Sequence, residues 1–117
     1  MKTISPSTLS HLNHEPEFMK IFKTGISFNS SAQKLLALKE KDRFILCQDE
    51  KGSLYFQETT QKDSFEIRQE MKRGGCRLPQ KHLLEYLFPE QKNPSMTFLI
   101  GEPHEGRRLL TPVGINQ

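Results

Sequence analysis

Thr24-Gly25-Ile26-Ser27-Phe28-Asn29 and Gly74-Gly75-Cys76-Arg77-Leu78-Pro79 are the two stretches that decide the fold. Each sets a glycine one step before an apolar–polar–apolar triplet, the alternation of a half-buried strand. Each is followed by Gln-Lys and a double leucine, in Gln33-Lys34-Leu35-Leu36 and in Gln80-Lys81-His82-Leu83-Leu84. Each then gives a Phe with two aliphatics, Phe44-Ile45-Leu46 and Phe98-Leu99-Ile100. Turns follow at Gly52 and Gly106, and apolar pairs return at Tyr55-Phe56 and Leu109-Leu110, at a constant separation of 54 residues from the Phe onward. One such unit leaves a hydrophobic face uncovered, and two packed together bury both. The predicted fold class is therefore α+β: a small, mostly-β, barrel-like domain built from two βαββ units with two short helices. Chance similarity between two generic βαββ stretches is the alternative.

Working outward, residues 1–17 are polar, contain Pro6 and Pro16 and show no periodicity, which predicts a flexible N-terminal arm. Residues 18–117 are expected to form one domain, with units at about 18–60 and 65–113. Phe18 to Phe28 reads as extended, with Gly25 as a kink. Ser30 and Gln33 have the spacing of a capping box. A helix of two to three turns, apolar at Ala32, Leu35, Leu36 and Ala37, is expected to end near Leu38. Arg43 to Gln48 suits a strand buried on both faces, and Asp49 to Gly52 a turn before the return strand Leu54-Tyr55-Phe56. Phe65-Glu66-Ile67-Arg68 alternates as a half-buried strand does. Cys76-Arg77-Leu78 reads as a short strand, with Pro79 in the first turn of a helix that carries Leu83, Leu84, Leu87 and Phe88 and stops at Pro89. Met96 to Ile100 and Leu109-Leu110 are strands around a turn from Glu102 to Gly106.

The chain has 117 residues, 34% of them apolar, enough for one modest core. No apolar run approaches the roughly 18–20 residues that span a bilayer, so no membrane partner is expected. The polar start does not resemble a secretory signal. Cys47 and Cys76 lie far apart without a C-x-x-C partner and inside apolar runs, which reads as two buried reduced thiols. Reduced cysteines and no export signal point to the cytoplasm. His11 and His14 are the only histidine pair, but Pro16 and the polar setting argue against an ordered metal-holding helix. No metal and no cofactor are expected. His82 and His104 are isolated, while Asp42, Asp49 and Glu50 read as turn and surface acids. No phosphate loop and no nucleophile–base arrangement occurs, so the expectation is that the chain is not an enzyme.

The pattern Gly-x-apolar-x-apolar-Pro, a short helix ending in Leu, and Asp-x-apolar opening a strand resembles the swapped-hairpin barrel of the AbrB/SpoVT-type transcription factors. Gly74 to Pro79 matches the opening, with Asn29 in the place of Pro in the first copy. Leu38-Lys39-Glu40-Lys41-Asp42-Arg43-Phe44 matches the middle, with Lys41 where the family usually has Gly. The resemblance covers about residues 18–113. It implies two interleaved units forming one small barrel, here from a single chain as in tandem-repeat members, and it implies DNA binding in transcription regulation. One departure counts against carrying the DNA contacts over. Binding members often have a basic residue directly after the first Gly of the motif, where this chain has Gly25 and Gly75.

Charge supplies the candidate site. Seventeen basic against fourteen acidic residues leave +3. Phe18 to Leu36 holds Lys20, Lys23 and Lys34 with no acid, and Arg68 to Lys81 holds five basic residues against Glu70 alone. Phosphate contacts depend on Lys and Arg. Lys20, Lys23, Arg68, Lys72, Arg73 and Arg77 are therefore the candidate nucleic-acid-binding residues, for DNA or RNA. If the two units pack as pseudo-symmetric halves, they share a face. The plain alternative is ordinary solvated surface. Phe22, Tyr55, Phe56 and Phe65 are a second candidate set, able to stack bases if exposed, or else core. The Gly101–Arg108 stretch, ending in two arginines, reads as a contact loop or as a plain hairpin turn. The competing function is a protein-interaction module, antitoxin-like or adaptor-like, whose arm orders on a protein partner. The oligomeric state stays open.

Overall fold

The structure is a computed structural model that describes residues 15–113. Its elements are β1 (Phe18–Phe22), β2 (Gly25–Phe28), α1 (Ser30–Leu36), β3 (Arg43–Gln48), β4 (Leu54–Thr59), β5 (Phe65–Glu66), β6 (Gln69–Glu70), β7 (Cys76–Pro79), α2 (Leu83–Leu87), β8 (Ser95–His104) and β9 (Arg107–Pro112). All strands join one antiparallel sheet in the order β5-β3-β4-β9-β8-β1-β2-β7-β6. Its two edge strands, β5 and β6, are separated in the chain by Ile67 and Arg68 alone, so the sheet curls back on itself. The link is hydrogen-bonded on both sides. Ile67 N–H donates to the Asp42 carbonyl at 2.9 Å and its carbonyl accepts from Lys41 at 2.9 Å, while Arg68 N–H donates to Arg77 at 3.1 Å. The result is a small α+β domain, mostly strand and barrel-like, with two short helices.

The core fills the inside of the curl. Met19, Ile21, Ile26, Phe44 and Phe98 are completely buried, and Leu36 from α1 and Leu84 from α2 close on them. Each such side chain contributes about 1.5–3 kcal/mol. Phe44 is the centre of a ring cluster, with centroids 5.5 Å from Phe28, 5.1 Å from Phe56 and 5.3 Å from Phe65.

Several local expectations change. Phe18 to Phe28 is two strands joined by a Lys23-Thr24 turn, with Gly25 opening β2. A Cβ at Gly25 would lie 2.5 Å from the Leu78 carbonyl oxygen, so the glycine serves strand approach and not a kink. The cap of α1 is Asn29, whose Oδ1 accepts from Ala32 N–H at 2.9 Å. Ser30 is the first helical residue, and Gln33 does not reach back. Instead Gln33 Oε1 accepts the Gly75 N–H at 2.7 Å and its Nε2 donates to Leu38 O at 3.2 Å. The helix ends at Leu36, with Ala37 left-handed at φ 52.

β3 is fully buried only at Phe44: Ile45 and Cys47 lie on its outward face, and Leu46, on the Phe44 side opposite Phe56, is half-buried against the core. Pro79 closes β7 opposite Gly25 and precedes α2 by three residues. It lacks an N–H, and Gln80 makes the last bond of that ladder, to Thr24 O at 3.0 Å. Phe65 to Arg68 is not one strand, since Ile67 spends its backbone groups on Lys41 and Asp42. The arm is docked where it is described: Asn29 Nδ2 donates to Pro16 O at 2.7 Å and Ile100 N–H to Glu17 O at 3.0 Å. Its remaining residues lie outside the described ones.

Candidate nucleic-acid interface

In an antiparallel sheet, directly opposed residues point to the same side. The registers therefore sort β8, β1, β2, β7 and β6 into rows. Inward lie Phe98–Met19–Phe28–Cys76–Glu70 and Met96–Ile21–Ile26–Leu78. Outward lie Leu99–Phe18, Thr97–Lys20–Ser27–Arg77–Gln69 and Ser95–Phe22–Gly25–Pro79. The outward rows contain no carboxylate. Lys20 and Arg77 are both exposed and stand in the central row, two strands apart with Ser27 between them. Arg77 is oriented by its neighbour, Nε donating to Gln69 Oε1 at 3.0 Å.

The other candidates surround that row. Arg68 stands at its edge, and its Nε is 3.2 Å from Glu66 Oε1; Glu66 also holds Arg43 at 3.2 Å. Two-thirds of the Arg68 side chain is solvent-exposed, so this pair holds it weakly. Phe22, Arg68, Gln69 and Arg77 line a shallow groove of about 280 Å3 on the same surface. Lys23 sits in the β1–β2 turn, and Lys72 with Arg73 in the β6–β7 turn. β2 and β7 are antiparallel, so these turns lie at opposite ends of the face and not together. Glu70, the acid among the basic residues, faces the other way. Its carboxylate accepts from Gln33 Nε2 at 3.2 Å and from Glu40 N–H at 3.4 Å, on the α1 side.

Three neutral members of the central row, Thr97, Ser27 and Gln69, are not among the sequence candidates. Their polar places in alternating stretches were readable, but not the neighbours that align them. The aromatics divide. Phe56 is core, Phe65 packs on Phe44, and Phe22 is half-buried on the outward side. Tyr55 faces outward on β4 and donates to Asp49 Oδ2 at 3.2 Å, which raises the phenol's pKa. Asp49 itself is a turn residue held below the usual carboxylate range, first by the Ser53 N–H and then by Tyr55 and Lys51. The arginines ending the Gly101–Arg108 stretch are engaged locally: Arg107 with Gln57 at 3.1 Å and Arg108 with the Gly101 carbonyl at 3.0 Å. That favours the hairpin reading over a free contact loop.

Both cysteines are free thiols. Burial pushes the Cys76 thiol up to about 12, assisted by the negative charges of Glu70 and Asp42, which keeps it neutral. Among the described residues no group of three or more His, Cys, Asp or Glu side chains could hold a metal ion. His11 and His14 lie outside the described residues. No protein-family model, curated protein or solved structure matches the chain. No helix among the described residues is long and apolar enough to cross a membrane.

Proposed function

We propose that this domain binds nucleic acid, DNA in the first place, as a regulatory protein, through the outer face of β8-β1-β2-β7-β6. The observation that carries this reading is the carboxylate-free central row with Lys20 and Arg77 exposed on it. Lys23 and Lys72-Arg73 extend the positive charge to both ends. The four residues of β2 span about 10 Å between the two turns, so the basic turn residues lie within reach of several phosphates of one bound strand. Neutral Ser27 between the cations, and Thr97 and Gln69 flanking them, supply donors and acceptors, the combination that positions a backbone and reads a limited part of a base edge. Salt titration of binding to duplex DNA and to single-stranded RNA tests it. The expectation is a logarithmic affinity that falls steeply with salt; no binding to either at low ionic strength would remove the reading.

The chain is, in this reading, a tandem repeat of one unit, akin to the AbrB/SpoVT-type barrel. Support comes from two ladders. A shift of 50 residues, Gly25 to Gly75, turns the pair Ile26–Leu78 into Cys76–Phe28, which is also an observed pair. A shift of 54 turns Leu54–Leu110 into Arg108–Phe56, again an observed pair. The ladders are thus self-complementary about Ser27/Arg77 and Tyr55/Leu109. The glycines obey the same relation: a Cβ at Gly25 would meet Leu78 O at 2.5 Å, and one at Gly75 would meet Phe28 O at 2.6 Å. The repeating element is ββαββ, with β1 corresponding to the interrupted pair β5 and β6.

A second reading, a protein-interaction module, draws on Leu99 and Leu109, which point outward and are 41% and 43% exposed. Leu109→Asp, on β9 and off the proposed nucleic-acid face, would abolish a stoichiometric protein complex and leave nucleic-acid binding unchanged.

A further inference from the structure

Away from the sheet face, the β1–β2 turn, the β7–α2 connection and the α2–β8 connection enclose a concavity of about 550 Å3. Lys23, Lys81 and Lys92 line it, one from each segment, while Leu84 and Pro89 supply an apolar lining. Its one carboxylate, Glu85, lies 2.6 Å from His82 Nδ1 and is occupied there. Among the described residues none of the three ammonium groups has an ion-pair partner. Three cations around one concavity, with its carboxylate engaged by His82, create a local positive potential that attracts an anion. The concavity beside α1 provides the contrast. It has about 590 Å3, carries Leu36 where this one has Leu84, and is lined by Asp42, Glu58 and Arg43 with no lysine. The positive charge is therefore a property of this one site and not of the fold.

We infer that this concavity is a phosphate-binding site of nucleotide size, with Lys81 and Lys92 as its principal anion contacts and the Leu84–Pro89 surface receiving the apolar part of the ligand. Its volume lies in the range of small-molecule sites, about 300–1,000 Å3. The phosphate belongs either to a free mononucleotide or to the end of a nucleic-acid strand, and the two differ in what binds best. The site shares Lys23 with the proposed nucleic-acid face but does not depend on it.

The test is a 15N–1H chemical-shift titration of the full chain at low ionic strength with inorganic pyrophosphate, then with AMP, then with a 5′-phosphorylated oligonucleotide. Saturable shifts at residues 23–24, 81–82 and 91–93 are expected. In Lys81→Glu/Lys92→Glu pyrophosphate affinity drops at least tenfold, while Arg77→Ala keeps it, which separates this site from the sheet face. Tightest binding of AMP at residues 81–82 and 91–93 assigns the phosphate to a free nucleotide; oligonucleotide shifts at those residues that require the 5′-phosphate, being lost with the unphosphorylated oligonucleotide, assign it to a strand end. Non-saturable shifts, or affinity unchanged in the double variant, would overturn the inference. The spectra report folding directly, and Lys81→Gln/Lys92→Gln replaces the glutamate pair if that variant unfolds.

Discussion

Gly75→Ala is the most informative single perturbation of this fold. The backbone there is left-handed, φ +87, and the new methyl would sit 2.6 Å from the Phe28 carbonyl oxygen, a backbone atom that cannot swing away. Two costs follow. The left-handed conformation costs a side chain about 1–2 kcal/mol. Prising β7 from β2 to clear the carbonyl is an overpacking cost of about 1–3 kcal/mol. Displacing Gly75 also strains its 2.7 Å N–H bond to Gln33 Oε1, which contributes about 0.5–1.5 kcal/mol. Together they give an expected destabilisation of about 2.5–6.5 kcal/mol.

Two companion variants separate the components. Gly106→Ala has φ +82 and nothing within 4 Å, so it pays for conformation alone, about 1–2 kcal/mol. Gly25→Ala meets Leu78 O at 2.5 Å without a left-handed φ, so it pays for contact alone, about 1–3 kcal/mol. Urea denaturation read by circular dichroism gives all three values. The reasoning is refuted if Gly75→Ala costs no more than Gly106→Ala, or if Gly25→Ala is neutral.

Further outcomes follow from the same contacts. Asn29→Ala removes the cap of α1 and the bond from Phe18 N–H to Oδ1 at 3.1 Å; it should cost about 1–2 kcal/mol and speed amide exchange at Phe18 and Ala32. Cys76 should resist a thiol reagent at pH 8 in the folded protein, while the half-buried Cys47 reacts. The folded Cys76 pKa, about 12, lies above that of the unfolded thiol, so unfolding is favoured once the unfolded thiol ionises. Its contribution is thus intact below about pH 9 and lost as pH rises from there toward 12, and Cys76→Ala should flatten that decline in an alkaline denaturation series. Lys20→Ala and Arg77→Ala should each lower the salt slope of duplex binding by about one, with Lys34→Ala, on α1 and off the face, leaving it unchanged.

How far the sequence reaches is clear from particular segments. The two hairpins β3–β4 and β8–β9 were legible because Phe44-Ile45-Leu46 and Phe98-Leu99-Ile100 are strongly apolar and their turns carry Gly52 and Gly106, although β8 runs through an irregularity on to His104, past the turn expected from Glu102. The β1–β2 turn was not, because Lys23-Thr24 has no turn marker before Gly25. The cap shifted by one residue because Asn29 and Ser30 are both good caps, and only the dihedrals decide between them. Pro79 reads equally well as a strand end or a helix start, and tertiary pairing with Gly25 made it the former. The split of residues 65–70 depends on where Ile67 finds backbone partners, 25 positions earlier at Asp42.

For the site, the basic residues themselves were readable, but their arrangement was not. Lys20 and Arg77 share a row only because β2 pairs with both β1 and β7, and the latter partner lies some fifty residues on. The same pairing sends Lys23 and Lys72-Arg73 to opposite ends. Glu66 as the partner of Arg68, and Lys92 beside Lys81, are products of folding with no local signature.

The most direct test of the proposed interface is chemical-shift mapping of a short DNA duplex onto the protein at low salt. The account predicts that the amides of Lys20, Ser27, Arg77 and Gln69 shift together and saturate together, with Lys23 and Arg73 following at the two ends. Shifts confined to β3, β4 and β9, or absent throughout, would contradict it.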